Sequence, residues 1–269
     1  MSPAAGSLAG KRIVVTRRAE QAAPLAALIE ERAGQVLLCP TIEVMLLNPD
    51  EAAPRAAPDL ATQGYPWTVF TSVNGVEAFF ALPGIDPGSA LAETQVAAVG
   101  TATRRALEAR GVHVVLVPER STAAALAEAL GAGSGEVLLP RAREVSPEMD
   151  VVLGANGWTP VPLVLYETRT ARRHGPGSKE VRAGAFDAVT FTSGSTVRGF
   201  VDLFGERTEE LGLTAGNTTS TSRRAVAVIG PVTAEACRAR GLRVDAVAED
   251  ASPEGMVRAL EAVLGAVAP

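Results

Sequence analysis

Val69-Phe70-Thr71-Ser72, followed by Asn74-Gly75-Val76 and Phe79, returns further along the chain as Thr190-Phe191-Thr192-Ser193, followed by Ser195-Thr196-Val197 and Phe200. Ala97-Ala98-Val99-Gly100-Thr101-Ala102-Thr103, running on to Gly111, returns as Ala227-Val228-Ile229-Gly230-Pro231-Val232-Thr233, running on to Gly241. The opening Ile13-Val14-Val15-Thr16-Arg17, through Gly34 to Val36, is echoed by Val137-Leu138-Leu139-Pro140-Arg141, through Gly157 to Val161. Ser121 opens a helical stretch ending before Gly131, as Ser252 opens one ending before Gly265. Each copy covers about 125 residues and keeps the same order of parts. Four matches in register imply a duplicated architecture, one supersecondary plan built twice.

Each part reads as strand, turn, helix. Arg12 to Thr16, Gln95 to Val99 and Val112 to Val117 are short apolar runs suited to strands buried on both faces. Glu20 to Arg32 carries helix formers with apolar Leu25, Leu28 and Ile29, and Gly34 is the expected C-terminal stop. Thr101 to Arg110 is a helix ended by Gly111, while Ser252-Pro253 and Ser146-Pro147 each pair an N-cap with proline at the first helical position. Alternating strands and helices predict an α/β fold with parallel sheets covered on both faces. About five strands per domain follow, a flavodoxin-like arrangement. Two weaker stretches, 41–66 with its four prolines and 164–184, read as crossings between domains, and 217–222 as an exposed loop.

Composition removes several function classes. A net charge of −5 argues against a nucleic-acid binder, which needs a basic face. No apolar run reaches the roughly 18 to 20 residues of a membrane helix, and the uncharged start of the chain carries no export signal, so a cytoplasmic location is expected. Cys39 and Cys237 do not form a disulfide framework. His113 and His174 stand apart from each other and from any cysteine pair or carboxylate cluster, which supplies neither a zinc site nor a Ser-His-Asp triad. His113, within an apolar run, reads as structural. No metal is expected. Gly100 and Gly230 belong to no G-x-G-x-x-G fingerprint and no P-loop motif occurs, so no nucleotide cofactor is expected either. Glu30-Glu31 and Glu209-Glu210 read as solvated faces.

The repeated motifs fall where ligands gather in parallel sheets, at the carboxyl ends of strands. Thr16-Arg17, Thr71-Ser72, Gly100-Thr101, Arg141, Thr192-Ser193 and Gly230 to Thr233 occupy such places. A Ser or Thr there is either a plain helix cap or, with the first-turn N–H groups, a contact for an anion. One helix terminus favours a carboxylate by only about 0.3–1 kcal/mol, so several must act together. Tyr166, one of two tyrosines, follows the apolar run Val161 to Leu165 where the chain leaves a domain. Its phenol either donates a proton in a cleft or anchors the linker by its ring.

Taken together, Val15-Thr16-Arg17, the paired Phe-Thr-Ser segments, Val99-Gly100 with Thr103, Ile229-Gly230-Pro231 with Thr233-Ala234, and Tyr166-Glu167-Thr168 resemble the uroporphyrinogen-III synthase family, from about Lys11 to Leu264. The resemblance implies a chain that starts in one domain, builds the second and returns. Residues 1–39 and 171–269 would form one domain, 43–165 the other, with 40–42 and 166–170 as a two-stranded antiparallel linker. A boundary between the repeats, near residue 133, is the simpler alternative. The implied reaction cyclises hydroxymethylbilane, a linear tetrapyrrole polyanion, to uroporphyrinogen III, with loss of water, inversion of ring D through a spirocyclic pyrrolenine, and no cofactor. Tyr166 would assist departure of the hydroxyl. Ser72, Asn74, Thr101, Thr103, Ser193, Ser195, Gly230 and Thr233 would line the cleft, and Arg17 and Arg141 would meet carboxylates. Ala142 departs from the glycine frequent in relatives after the arginine. A monomer is expected, since a flexible linker suits domains that move. Two further classes fit the doubled design: a non-catalytic two-domain protein binding a tetrapyrrole or small anion, and a regulatory relative that senses one.

Overall fold

The computed structural model describes residues 7–47, 64–83, 86, 89, 91–172, 175–205, 207–215 and 224–265. The polar run 217–222, His174, and the prolines at 49, 54 and 58 lie outside the described residues. In chain order the elements are β1 (Arg12–Val15), α1 (Ala19–Glu31), β2 (Gln35–Leu38), β3 (Ile42–Leu46), β4 (Trp67–Phe70), α2 (Val73–Phe80), β5 (Gln95–Ala98), α3 (Thr101–Glu108), α4 (Ala123–Leu130) and β6 (Gly135–Ala142). There follow α5 (Glu148–Ala155), β7 (Trp158–Thr170), α6 (Ser178–Arg182), β8 (Ala188–Phe191), α7 (Gly194–Phe204), α8 (Arg207–Glu210), β9 (Ala225–Val228), α9 (Pro231–Ala239), β10 (Ala246–Val247) and α10 (Pro253–Gly265). The fold is α/β and its sheets are dominated by parallel pairing.

The chain divides into two compact units, Met1–Glu43 with Arg169–Pro269, and Val44–Thr168. One sheet runs β10-β9-β8-β1-β2 and the other β3-β7-β6-β4-β5. Neither sheet corresponds to one copy of the repeat. The first takes β1 and β2 from the first copy and β8 to β10 from the second; the other takes β4 and β5 from the first copy and β6 and β7 from the second.

Burial on both faces explains the apolar runs. Val14 of β1 packs on one side with Phe191 and Phe200, while Ile13 and Val15 pack on the other with Leu25, Ile29, Met256 and Leu260. In the second unit Val69 and Phe70 of β4 divide the same way, Phe70 joining Phe79 and Leu165, and Val69 joining Leu126, Leu139 and Leu153. The phenylalanines of the repeated motif are themselves core. Phe70 and Phe79 meet edge to face at 5.5 Å, and Phe191 and Phe200 do so at 5.3 Å, a geometry worth about 0.5–1.5 kcal/mol beyond burial.

Several expectations need correction. Val112 to Val117 forms no full strand: Leu116 makes an isolated parallel bridge to Ala97, and Val115 and His113 are exposed, so the alternate residues of this edge segment face outward. The turn after α1 is made by Ala33, with φ of 60°, rather than by Gly34. Gly34 is required for space, since a Cβ there would lie 2.7 Å from Ile29 Cγ2. Thr122, not Ser121, caps α4, its hydroxyl accepting from Ala125 N at 3.1 Å. The N-cap of α5 is Pro147 itself, so Ser146 stands one residue too early. Ser252 does cap α10, accepting from Gly255 N at 2.9 Å with Pro253 first in the helix. The stretches read as crossings do hold both passages between units, at Glu43–Val44 and Thr168–Arg169, and they also carry strands: β3 from Ile42 and the 13-residue β7, which are neighbours in the sheet.

Candidate functional site

Parallel strands aim their carboxyl ends at one edge of a sheet, and helices that follow present their first N–H groups there. In the Val44–Thr168 unit this edge carries Ser72, Asn74, Thr101, Thr103, Arg141 and Tyr166. Ser72, extended at φ −160° and ψ 155°, caps α2 by accepting from Gly75 N at 2.9 Å. Its Oγ also lies 2.8 Å from the Tyr166 hydroxyl. Tyr166 is 4% exposed, with its ring in the core beside Phe70, Phe79 and Leu165. Burial pushes its phenol above the ordinary value of 10.0, the bond to Ser72 opposes this, and the charge of Glu77 adds to it. The hydroxyl therefore stays protonated at neutral pH.

Gly75 and Gly100 have internal reasons to be glycine. A Cβ on Gly75 would stand 3.0 Å from the Pro140 carbonyl, so its absence lets α2 close on β6. A Cβ on Gly100 would stand 2.8 Å from Ser121 Oγ. Thr101 at the start of α3 is exposed, Thr103 is buried and Asn74 is half-buried. Arg141, at the end of β6, donates to both carboxylate oxygens of Asp150 on α5, at 2.6 and 3.0 Å. That bidentate pair already supplies Arg141 with a carboxylate, a partner the sequence reading missed. The signal available was an aspartate in the first turn of the helix after Arg141, where a helix N-terminus favours negative charge.

In the other unit the edge carries Arg17, Ser193, Ser195, Gly230 and Thr233. Ser193 caps α7 by accepting from Thr196 N at 3.3 Å, and its Oγ meets Ser195 Oγ at 3.0 Å. Thr192, beside it, holds a buried Oγ1 without a hydrogen-bond partner. Gly230 caps α9 with extended backbone, φ 173°, and a Cβ there would meet no atom within 4 Å. Neither strain nor internal crowding accounts for a glycine at this place. Pro231 takes the first helical position, Val232 is exposed, and Thr233 is buried. Arg17 is half-buried just after β1. Among the described residues no group of three or more His, Cys, Asp or Glu side chains is placed to hold a metal ion, and no helix is long and apolar enough to cross a membrane.

Two α/β units, each with hydroxyl-capped helices after some of its strands, α2 and α4 in one and α7 and α10 in the other, define the class of two-unit α/β proteins with parallel-dominated sheets. A family model described as uroporphyrinogen-III synthase HemD matches residues 23–258. A Methanothermobacter thermautotrophicus protein, named provisionally as a uroporphyrinogen-III synthase, is 30% identical over 94% of this chain and 98% of its own length. The uroporphyrinogen-III synthase of Synechococcus elongatus is 27% identical over 94% of this chain and 96% of its own. A crystal structure of a mutant Thermus thermophilus uroporphyrinogen III synthase superimposes with a TM-score of 0.64 at 22% identity, covering 96% of this chain and all of that one. The chain belongs to the uroporphyrinogen-III synthase family.

Proposed function

We propose that this chain cyclises hydroxymethylbilane to uroporphyrinogen III, with loss of water and inversion of ring D. The observation that carries the proposal is the buried Tyr166 hydroxyl at 2.8 Å from the cap serine of α2, in a chain whose family membership supplies the substrate. A phenol held protonated at a strand carboxyl edge is suited to assist a leaving hydroxyl. The step balances. The substrate C–O bond breaks, the pyrrole nitrogen supplies electrons to the methylene carbon, and the Tyr166 proton joins the departing hydroxyl as water. The substituted carbon of ring D then attacks, a spirocyclic pyrrolenine forms, breaks and recloses inverted, and the proton lost as the ring regains aromaticity restores the phenol. No oxidant or reductant enters this balance, so we assign no cofactor.

Each unit is proposed to be a flavodoxin-like domain. In one unit the strand order β2-β1-β8-β9-β10 supports this, being 2-1-3-4-5 within the unit; in the other, β5-β4-β6-β7 follows the same pattern as far as 2-1-3-4, and β3, the earliest strand of that sheet, takes the last place. Bonds from Ala171 N to the Thr41 carbonyl and from Leu47 N to the Leu165 carbonyl support an antiparallel two-stranded linker formed by β3 and β7. For the substrate carboxylates we propose Arg17, Asn74, Thr101, Ser193, Ser195 and the backbone at Gly230, with Thr103 and Thr233 behind them. Arg141 keeps a place in the proposal only if substrate displaces or shares Asp150. The enzyme is proposed to act as a cytoplasmic monomer without nucleic-acid partners. Freshly made hydroxymethylbilane should be consumed faster with the purified protein than without it. Consumption at the spontaneous rate would overturn the assignment.

A further inference from the structure

We infer that Ser72 is a positioning residue for Tyr166: it donates its own proton to the phenolic oxygen and so leaves the phenol's proton free for the substrate. The inference rests on the proposed role of Tyr166 and adds a specific function to a residue otherwise assigned to substrate contact. Ser72 Oγ already accepts from Gly75 N at 2.9 Å, which fixes where its lone pairs and its proton can point. The bond to Tyr166 at 2.8 Å has two possible directions. If the phenol donated, its single proton would be committed to Ser72 and none would remain for a leaving hydroxyl. With Ser72 donating, Gly75 N–H, Ser72 O–H and Tyr166 O–H form one chain pointing the same way. Each donor polarises the next. The phenolate formed by proton transfer then keeps a hydrogen-bond donor on its oxygen, where charge develops.

The second copy of the repeat shows that this pair is not a requirement of capping. Ser193 caps α7 through Thr196 N, yet its Oγ meets Ser195 and no phenol. In that unit the residue running on from β2 and packed on the capped helix is Thr41, whose hydroxyl donates to the Thr196 carbonyl at 2.9 Å. One unit thus ties the crossing strand to helix backbone, and the other places a phenol on the cap hydroxyl. The same fold stands with either arrangement.

The test compares Ser72→Gly, Ser72→Thr and Tyr166→Phe, alone and combined, by steady-state kinetics on hydroxymethylbilane. Glycine is a competent N-cap, so Ser72→Gly removes the hydroxyl with little loss of helix stability. We expect kcat to fall about ten- to a hundredfold with KM little changed, the worth of one hydrogen bond to a developing charge. Ser72→Thr should restore most of that loss, and Ser72→Gly should cost nothing further in the Tyr166→Phe background. A rise in KM at unchanged kcat, or losses that multiply in the double variant, would overturn the positioning role while leaving Tyr166 in place. Unchanged kcat in Tyr166→Phe itself would instead remove the reading on which the inference stands. Should Ser72→Gly fail to fold, Ser72→Asp carries the comparison, since it keeps a capping acceptor and removes the donated proton, with melting temperatures recorded alongside.

Discussion

Tyr166 has its ring in the core and its hydroxyl on Ser72, and its two parts respond to different experiments. Tyr166→Phe keeps the ring that shares a core cluster with Phe70 and Phe79 and removes one hydrogen bond, so stability should fall by only about 1 kcal/mol. Turnover should fall about a hundredfold or more if the phenol is the proton donor; wild-type turnover would return the residue to the role of an anchor. Its raised pKa also has a sign. The folded value lies above the ordinary 10.0, so the contribution to stability is complete below about pH 10 and is lost as pH climbs through the folded value. Denaturant midpoints between about pH 9 and pH 11 should therefore drop more in the wild type than in Tyr166→Phe. Cys237 follows the same rule, its thiol pushed up to about 12 by burial. Cys39 is raised too, by burial, against Ser178 and Arg182. Neither thiol should react with a maleimide near neutral pH until the chain unfolds, since the thiolate is the nucleophile. Labelling of native protein would contradict that burial.

At the scale of elements, glycine contacts decide how closely helices approach the strands. A Cβ on Gly199 would come within 2.2 Å of the Thr41 carbonyl oxygen, so Gly199→Ala must push α7 away from the start of β3. A loss of about 1–3 kcal/mol is expected, as for other overpacked sites, and a calorimetric melt reads it. Much of this layer was legible in advance. The apolar runs at Ile13 and Val96 became buried strands because period and length both favoured strands buried on both faces. The reading failed where tertiary contacts overrule local signals. Gly34 was expected to make a turn that Ala33 makes, because packing against Ile29 demanded the small residue one place later. Val112 to Val117 has strand composition but lies at an edge with a single bridge to Ala97. The site was legible in part: cap serines 72 and 193 follow from Phe-Thr-Ser ahead of a helix, whereas the bond from Ser72 to Tyr166 and the pair of Arg141 with Asp150 join residues that no local pattern connects.

For the molecule as a whole, the duplication in sequence is not a duplication of folding units. Separating the copies near residue 133 would part β1 and β2 from β8 to β10, and β4 and β5 from β6 and β7. Neither half should then unfold cooperatively, whereas the continuous segment Val44–Thr168 contains the cores around Phe70 and Val69 and should do so when expressed alone. Circular dichroism melts of the three fragments distinguish these outcomes. The crossing of copies also distributes the hydroxyl-capped helices over both units, α2 and α4 in one and α7 and α10 in the other. The proposed reaction makes one particular ring closure, the one with ring D inverted. Purified protein should be mixed with freshly made hydroxymethylbilane, the products oxidised, and the porphyrin isomers separated. Isomer III should predominate. Isomer I alone, the product of closure without inversion, would contradict it.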